Sequence, residues 1–115
     1  MPAKKTYTIR FRIWIDEKSG PFLGIGRVIL LQKIKETGSI TNAAKSMKMS
    51  YRQAWQLVED MNERANTPLV EKRLGGKNGS GASLTLEGEK AIEEFYRMEA
   101  EIKDFIHLKS KNIKL

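Results

Sequence analysis

The sequence is that of a small basic protein of 115 residues, with a formal net charge of +7, no cysteine and one histidine, His107. This length suits a single domain, and the absence of cysteines and further histidines excludes disulfides, thiol catalysis and the usual zinc sites. We therefore expect no enzyme, no catalytic residue, no metal and no cofactor, but a negatively charged partner, with nucleic acid favoured over a membrane surface.

The positive charge is concentrated in the first half of the chain. Residues 1–57 hold 11 basic and 3 acidic side chains, whereas residues 58–115 hold 10 basic and 11 acidic ones. A charge surplus localised in this way favours a specific binding surface. The mean hydropathy is −0.48, and no apolar run approaches the roughly 18 residues of a membrane span. Because the basic N-terminus also lacks the apolar stretch of a signal peptide, we expect a cytoplasmic protein.

A strand and a helix are predicted before residue 40. Tyr7–Ile15 alternates apolar and polar side chains, which is the pattern of a half-buried strand. Turn residues follow from Asp16 to Pro21, and the spacing then becomes helical from Gly24 to Glu36, with Gly38 as the C-terminal stop. The residues expected to face the core from this helix are Ile25, Val28, Ile29, Leu31 and Ile34.

Two helices separated by a three-residue break are predicted next. The first is short and begins at a candidate cap, Thr41. Ser50 and Gln53 match the capping box at the start of the second helix, which ends before Pro68 because the residue preceding a proline disfavours the helical region. The expected inward residues are Ala43, Ala44 and Met47 in the first helix and Ala54, Val58, Met61 and Ala65 in the second.

A hairpin and a long helix complete the chain. Leu69–Leu74 and Ala82–Leu86 predict two strands joined by a glycine-rich tip. A helix over residues 87–108 follows, and residues 109–115 form a basic tail. The helix carries an a/d heptad seam, made of Ala91, Phe95, Met98, Ile102 and Phe105. Since residues 87–108 hold 3 basic and 7 acidic side chains, we expect this seam to pair with a second subunit and not to bind DNA; the alternative is packing on its own domain alone.

The order of short helix, turn, second helix and hairpin predicts a winged helix-turn-helix. The chain is then a single domain, 1–115, of the α+β class and mostly α. Residues 7–86 form the winged helix-turn-helix with its N-terminal strand, and the long C-terminal helix serves dimerisation. A generic α+β domain is the alternative.

Several short motifs carry a resemblance to a known family. They are Gly26-Arg27, Gly38-Ser39-Ile40, Ala43-Ala44, Met49-Ser50-Tyr51-Arg52, Ala54-Trp55, Gly75-Gly76, Gly81-Ala82 and Leu84-Thr85 with Gly88. From about Phe22 to Gly88, the chain resembles the N-terminal DNA-binding domain of the molybdate-responsive ModE regulators, which are related to LysR-type winged helices. The resemblance implies DNA binding, dimerisation and a role in the regulation of molybdenum transport.

The resemblance does not extend to the whole of such a regulator. Family members bind molybdate in a separate C-terminal domain, and this sequence ends at Leu115, directly after the long helix. Molybdate binding is therefore not expected within this chain. A stand-alone regulator and a part of a longer protein both remain open, as do the operator and the signal.

The candidate DNA contacts lie in the helix-turn-helix and in the hairpin. The start of a recognition helix enters the major groove, helix N-termini attract phosphate, and basic side chains near glycines suit a wing against the DNA backbone. The candidates are Ser39, Thr41, Lys48, Ser50, Tyr51, Arg52, Gln53, Gln56, Arg73, Lys77 and Asn78.

Several of these side chains have alternative roles. Arg52 can bind guanine O6 and N7 or a phosphate, and Gln56, one turn later, can pair with adenine. Gln53 is already engaged if the capping box forms. Tyr51 can donate its hydroxyl to a phosphate, whereas we expect Trp55 to pack in the core.

The sequence thus predicts a sequence-specific, double-stranded DNA-binding transcriptional regulator that acts as a homodimer. The alternative is a winged-helix adaptor that binds a protein partner, because a fold does not determine a function. The basic side chains around the start of the second helix favour DNA.

Overall fold

The computed structural model describes residues 3–73 and 81–115 of the chain. The order of elements is β1 (Ile15–Glu17), β2 (Gly20–Leu23), α1 (Ile25–Thr37), α2 (Ile40–Ser46), α3 (Tyr51–Arg64), β3 (Val70–Lys72), β4 (Ala82–Leu84) and α4 (Leu86–Lys111). The strands form two antiparallel pairs, β1 with β2 and β3 with β4. This is the mostly α, winged helix-turn-helix architecture that the sequence predicts, and we call the β3–β4 hairpin the wing.

The prediction of an N-terminal strand over Tyr7–Ile15 is wrong in its extent. β1 begins at Ile15, and residues 3–14 are not paired in a strand. The physical reason is the lack of a partner, because β2 is four residues long and reaches back only to Ile15. Ile9, in the middle of the predicted strand, lies beside the end of α4, where its amide donates to Ser110 Oγ at 3.0 Å.

The core is built around α1, which contacts α2, α4, β2 and β4. Because neighbours contact this helix on several sides, its buried surface differs from the stripe that the sequence predicts. Leu30, which the periodicity places outside that stripe, is fully buried, while Ile25 is 38% exposed, so its assignment to the core is wrong. The buried residues of α1 are Val28, Leu30, Leu31 and Ile34.

Short polar side chains begin the later helices. Ser39 Oγ accepts from the Asn42 amide at 3.1 Å, so the cap of α2 is Ser39, and the assignment of that role to Thr41 is wrong. Ser50 Oγ accepts from the Gln53 amide at 3.0 Å, which is the serine half of the predicted capping box. Gly38 adopts the left-handed conformation, with φ 69°, and ends α1 as predicted. Most of the predicted inward residues of α2 and α3 are buried, namely Ala43, Ala44, Ala54, Val58 and Met61, while Met47 and Ala65 are half-buried.

The wing is attached to the helical core at its base. The Ala82 amide donates to the Gly38 carbonyl at 2.9 Å, and Ser39 forms an isolated bridge with Gly81. β4 therefore lies against the turn between α1 and α2. Both strands are shorter than the predicted segments, and the predicted tip falls almost entirely on residues 74–80, outside the described residues.

The heptad seam of α4 divides into two parts. Phe95 is fully buried in the core of its own domain and has no surface left for a second subunit, so its assignment to the dimer interface is corrected. Ala91 and Met98 are half-buried, whereas Ile102 is 40% and Phe105 58% exposed. The helix also runs on to Lys111, and it thus includes the first three residues of the predicted tail.

The second half of α4 projects from the globular part of the molecule. The helix has 26 residues, or about 39 Å at 1.5 Å per residue, and the molecule measures 68 × 29 × 22 Å. Its radius of gyration is 18.2 Å, against about 13 Å for a compact domain of this size. Within residues 3–73 and 81–115, no helix is long and apolar enough to cross a bilayer.

The contact between α4 and the start of the wing requires a glycine. A Cβ placed on Gly88 would lie 2.2 Å from the Leu69 carbonyl oxygen, whereas one on Gly26 would have no atom within 4 Å. We expect Gly88→Ala to lower the free energy of unfolding by about 1–3 kcal/mol through overpacking. The control, Gly26→Ala, should leave it unchanged or raise it by up to about 1 kcal/mol through helix propensity. Urea denaturation of both variants tests this, and equal stabilities would contradict the close contact.

Candidate nucleic-acid interface

The first two turns of α3 present one continuous exposed face. Ala54 and Val58 are fully buried and hold the other face of the helix in the core. Positions four residues apart share a face of a helix, which pairs Tyr51 with Trp55 and Arg52 with Gln56 among the exposed side chains. They are Tyr51, Arg52, Gln53, Trp55 and Gln56.

Trp55 belongs to this exposed face, and the prediction that it packs in the core is wrong. It is 37% exposed and is absent from the group of buried and half-buried residues that form the core. The small side chain of Ala54, next to it, faces the core at this level of the helix. The sequence pattern gives no sign of Trp55 as a functional candidate, because a tryptophan in an amphipathic helix is more often a core residue.

Lys72 of β3 reaches across to α3 and contacts Trp55. Its Nζ lies 4.5 Å from the centroid of the indole ring and forms an ion pair with Glu59. Partial burial lowers the pKa of the Lys72 ammonium group. Lys72 thus connects the wing to the exposed face of the helix, a contact that no spacing in the sequence indicates.

A second network holds Gln56. Its Nε2 donates to Asp60 Oδ1 at 3.0 Å. Asp60 in turn lies 3.8 Å from Arg27 Nη2 and 3.9 Å from Arg64 Nη1. Because this bond engages one N–H of the amide group, the other N–H and the carbonyl oxygen of Gln56 remain for a base edge.

These contacts leave the start of α3 with a positive field. Its two acidic residues nearest that end, Glu59 and Asp60, are paired with cations of the same chain. Cations of α2, the turn that follows it, the start of α3 and the wing are exposed, namely Lys45, Lys48, Arg52 and Arg73. Lys48 also has a left-handed backbone, with φ 56°, at the break between α2 and α3.

The start of α2 and the base of the wing are neighbours. Ser39 bridges to Gly81, and the Arg73 amide donates to the Gly81 carbonyl at 2.7 Å. Thr41 is half-buried in the first turn of α2. The structure therefore brings together Ser39 and Arg73, which are far apart in the sequence, while the candidates Lys77 and Asn78 lie outside the described residues.

Asn62 sets the position of the wing relative to α3. Its Oδ1 accepts from the Leu69 amide at 2.8 Å and from the Val70 amide at 3.1 Å, and its Nδ2 donates to the Val70 carbonyl at 3.0 Å. These three bonds tie the first residues of the wing to the recognition helix. The sequence offered only a weak signal for this role, namely one amide residue beside the buried stripe of the helix.

The described residues contain no group of three or more His, Cys, Asp or Glu side chains that could hold a metal ion. Hydrogen-bond donors and cations dominate the exposed face instead. Such a surface can bind phosphate oxygens and base edges.

Comparison with known proteins relates the chain to bacterial regulators. Residues 26–89 match the family described as bacterial regulatory helix-turn-helix protein, lysR family. The transcriptional regulator ModE of Haemophilus influenzae is 39% identical over 87 residues, which are 76% of this chain and 34% of that protein. The DNA-binding transcriptional dual regulator ModE of Escherichia coli K12 is 42% identical over 67 residues, 58% of this chain and 26% of that protein. The chain thus spans about a quarter to a third of the length of these curated relatives.

Solved structures share the fold. The DNA-binding domain of CbnR, in complex with DNA, superposes with a TM-score of 0.57 at 18% identity and covers 78% of this chain and 97% of its own. The BenM DNA-binding domain on its benA site 1 DNA gives a TM-score of 0.54 at 13% identity, with 77% and 94% covered. At these identities the comparison shows the winged helix-turn-helix fold.

The hydrogen bonds of the Asn62 side-chain amide group lead to a prediction about stability. Asn62→Ala leaves two backbone N–H groups and a carbonyl without their partner, and we expect a loss of about 1–3 kcal/mol in the free energy of unfolding. The control is Asn66→Ala, since Asn66 is exposed in the loop after α3 and should change stability by less than about 0.5 kcal/mol. Chemical denaturation measures both, and a neutral Asn62→Ala would show that the wing does not depend on this side chain.

Proposed function

Because the chain belongs to the lysR family of bacterial regulatory helix-turn-helix proteins, we propose that it is a sequence-specific, double-stranded DNA-binding transcriptional regulator of the molybdenum-regulator type. The observation that carries the proposal is the exposed, positively charged start of α3, with Arg52 and Gln56 side by side on one face. A protein that binds operators in the chromosome would act in the cytoplasm.

In this proposal the start of α3 enters the major groove. Arg52 donates to guanine O6 and N7, and Gln56, oriented by Asp60, pairs with adenine. Phosphate contacts come from the turn, the start of α3, the N-terminus of α2 and the wing. The residues assigned to them are Ser39, Thr41, Lys48, Ser50, Tyr51, Gln53, Arg73, Lys77 and Asn78. Occupation of the operator would regulate transcription by blocking or favouring access to it.

The names of the relatives support the molybdenum-regulator type. A relative from Azotobacter vinelandii, 37% identical over 90 residues, is called molybdenum transport protein ModE. We propose that this chain binds the operators of genes for molybdenum transport. We assign no oxyanion site to its residues, since the matched region is the helix-turn-helix.

We further propose that the protein binds as a homodimer through the projecting part of α4. Ile102 and Phe105 are 40% and 58% exposed at helical spacing, with the half-buried Met98 one turn before them. A second α4 would remove these apolar surfaces from water. The two copies of α3 would then bind half-sites about one helical turn apart, or multiples of it.

The DNA proposal predicts a loss of discrimination in Arg52→Ala. A duplex is first selected from a random pool, and binding is then measured by fluorescence anisotropy over a series of salt concentrations. Loss of a base contact should weaken operator binding by about 5-fold to 150-fold and reduce the preference over random duplex. The control is Lys103→Ala, which removes the same charge from an exposed position on α4 and should leave the preference unchanged. If no sequence is enriched and binding stays weak at physiological salt, the adaptor alternative replaces this proposal.

The dimer proposal predicts that Phe105→Glu is monomeric. A charge in the apolar seam should prevent association, and multi-angle light scattering at micromolar concentration should give twice the monomer mass for the wild type and the monomer mass for Phe105→Glu. Leu86→Glu is the control, because Leu86 is 68% exposed at the other end of α4, where an acidic residue suits the helix dipole. A monomeric wild type would contradict the proposal.

A further inference from the structure

We propose that Trp55 contacts the methyl group of a thymine in the major groove, and that Lys72 and Glu59 are positioning residues that hold its indole ring. This inference rests on the proposed function, since it names a feature of the operator that the same face of α3 would recognise.

Trp55 lies among the exposed side chains near the start of α3. It is three residues after Arg52 and directly before Gln56, and positions three residues apart are neighbours on a helix surface, so it lies beside the side chains proposed to contact bases. It is 37% exposed and lies outside the core. A large apolar side chain left partly in water at this point gains free energy if a partner covers it.

A contact with Lys72 restrains the indole ring of Trp55. The Lys72 ammonium group lies 4.5 Å from the ring centroid, within the range of a cation–π interaction. Glu59, one turn after Trp55, pairs with the same ammonium group. The ring is therefore held between its own helix and the wing before DNA binds, which reduces the side-chain entropy lost on binding.

The chemistry of the indole group favours an apolar partner. It offers one N–H donor and no acceptor, so it cannot form the bidentate bonds that distinguish guanine or adenine. Its apolar surface instead matches the one apolar group in the major groove, the C5 methyl of thymine. A contact with the sugar-phosphate backbone would use the same surface without preference for a base, and the experiment separates these two cases.

The test replaces each thymine of the selected operator in turn by deoxyuridine, which removes only the methyl group. At one position in each half-site, we expect wild-type affinity to fall about threefold to fivefold, the value of one buried methyl group. Trp55→Ala should bind the operator and its deoxyuridine-substituted form with equal affinity. If Trp55→Ala does not fold, Trp55→Gln is used in the same test. The matched control is Trp14→Ala, which removes the other tryptophan, 66% exposed in the N-terminal region. This variant should lose as much affinity as the wild type when the thymine methyl group is removed.

The positioning role is tested on a Trp14→Phe background, in which Trp55 is the remaining tryptophan. Lys72→Gln should shift the indole N–H resonance of Trp55 in the NMR spectrum. It should also reduce the ratio of the affinity for the thymine duplex to the affinity for the deoxyuridine duplex. Lys72→Arg should restore both. A purely structural Lys72 would alter stability without changing that ratio.

The outcomes separate this inference from the proposed function. If the wild type prefers no duplex, the proposed function fails and this inference fails with it. If the wild type selects an operator, but removal of a thymine methyl group affects wild type and Trp55→Ala equally, only this inference is overturned. If the ratio depends on Trp55 but not on Lys72, the positioning part alone is overturned.

Discussion

The amide group of Asn62 fixes the relation between the recognition helix and the wing, and the candidate DNA surface depends on it. A planar amide can accept from two consecutive backbone N–H groups and donate to a carbonyl, and Asn62 does so with Leu69 and Val70. Two residues further on, Lys72 is thereby carried over Trp55. From the other side, α4 approaches Leu69 so closely that only a glycine fits at position 88. The wing is thus held by α3 and by α4.

Charge is distributed so that attraction to an anionic partner is confined to one part of the molecule. In α3 the acidic side chains Glu59 and Asp60 are compensated by cations of the same chain. On α4, Glu87, Glu94 and Glu101 form ion pairs within the helix, and the hydrogen bond from Arg97 lowers the pKa of the Glu94 carboxyl group. The long helix carries more acidic than basic side chains, which agrees with a role in association between subunits.

Local signals predicted much of the fold because they act over one or two turns of chain. The cap at Ser50 and the stop at Gly38 are properties of a few neighbouring residues, and both are observed. The inward stripe of α3 was predicted correctly because this helix buries one face only. In α1 the same reasoning failed at Ile25 and Leu30, since the positions of the neighbouring elements decide which residues of the helix are buried.

The sequence by itself determined the class of the protein: its basic first half, its helix-turn-helix spacing and the family motifs all lie in contiguous residues. Only the tertiary structure decided the roles of Trp55 and Phe95, which local periodicity places alike in apolar helix faces. Trp55 is exposed because Ala54 and Val58 take the core side of α3, and Phe95 is buried because α4 packs on α1 at that level. The contact of Lys72 with Trp55 joins residues 17 positions apart, and it exists because Asn62 fixes the strand to the helix. Spacing along a chain specifies which face a side chain occupies, whereas packing specifies what that face meets.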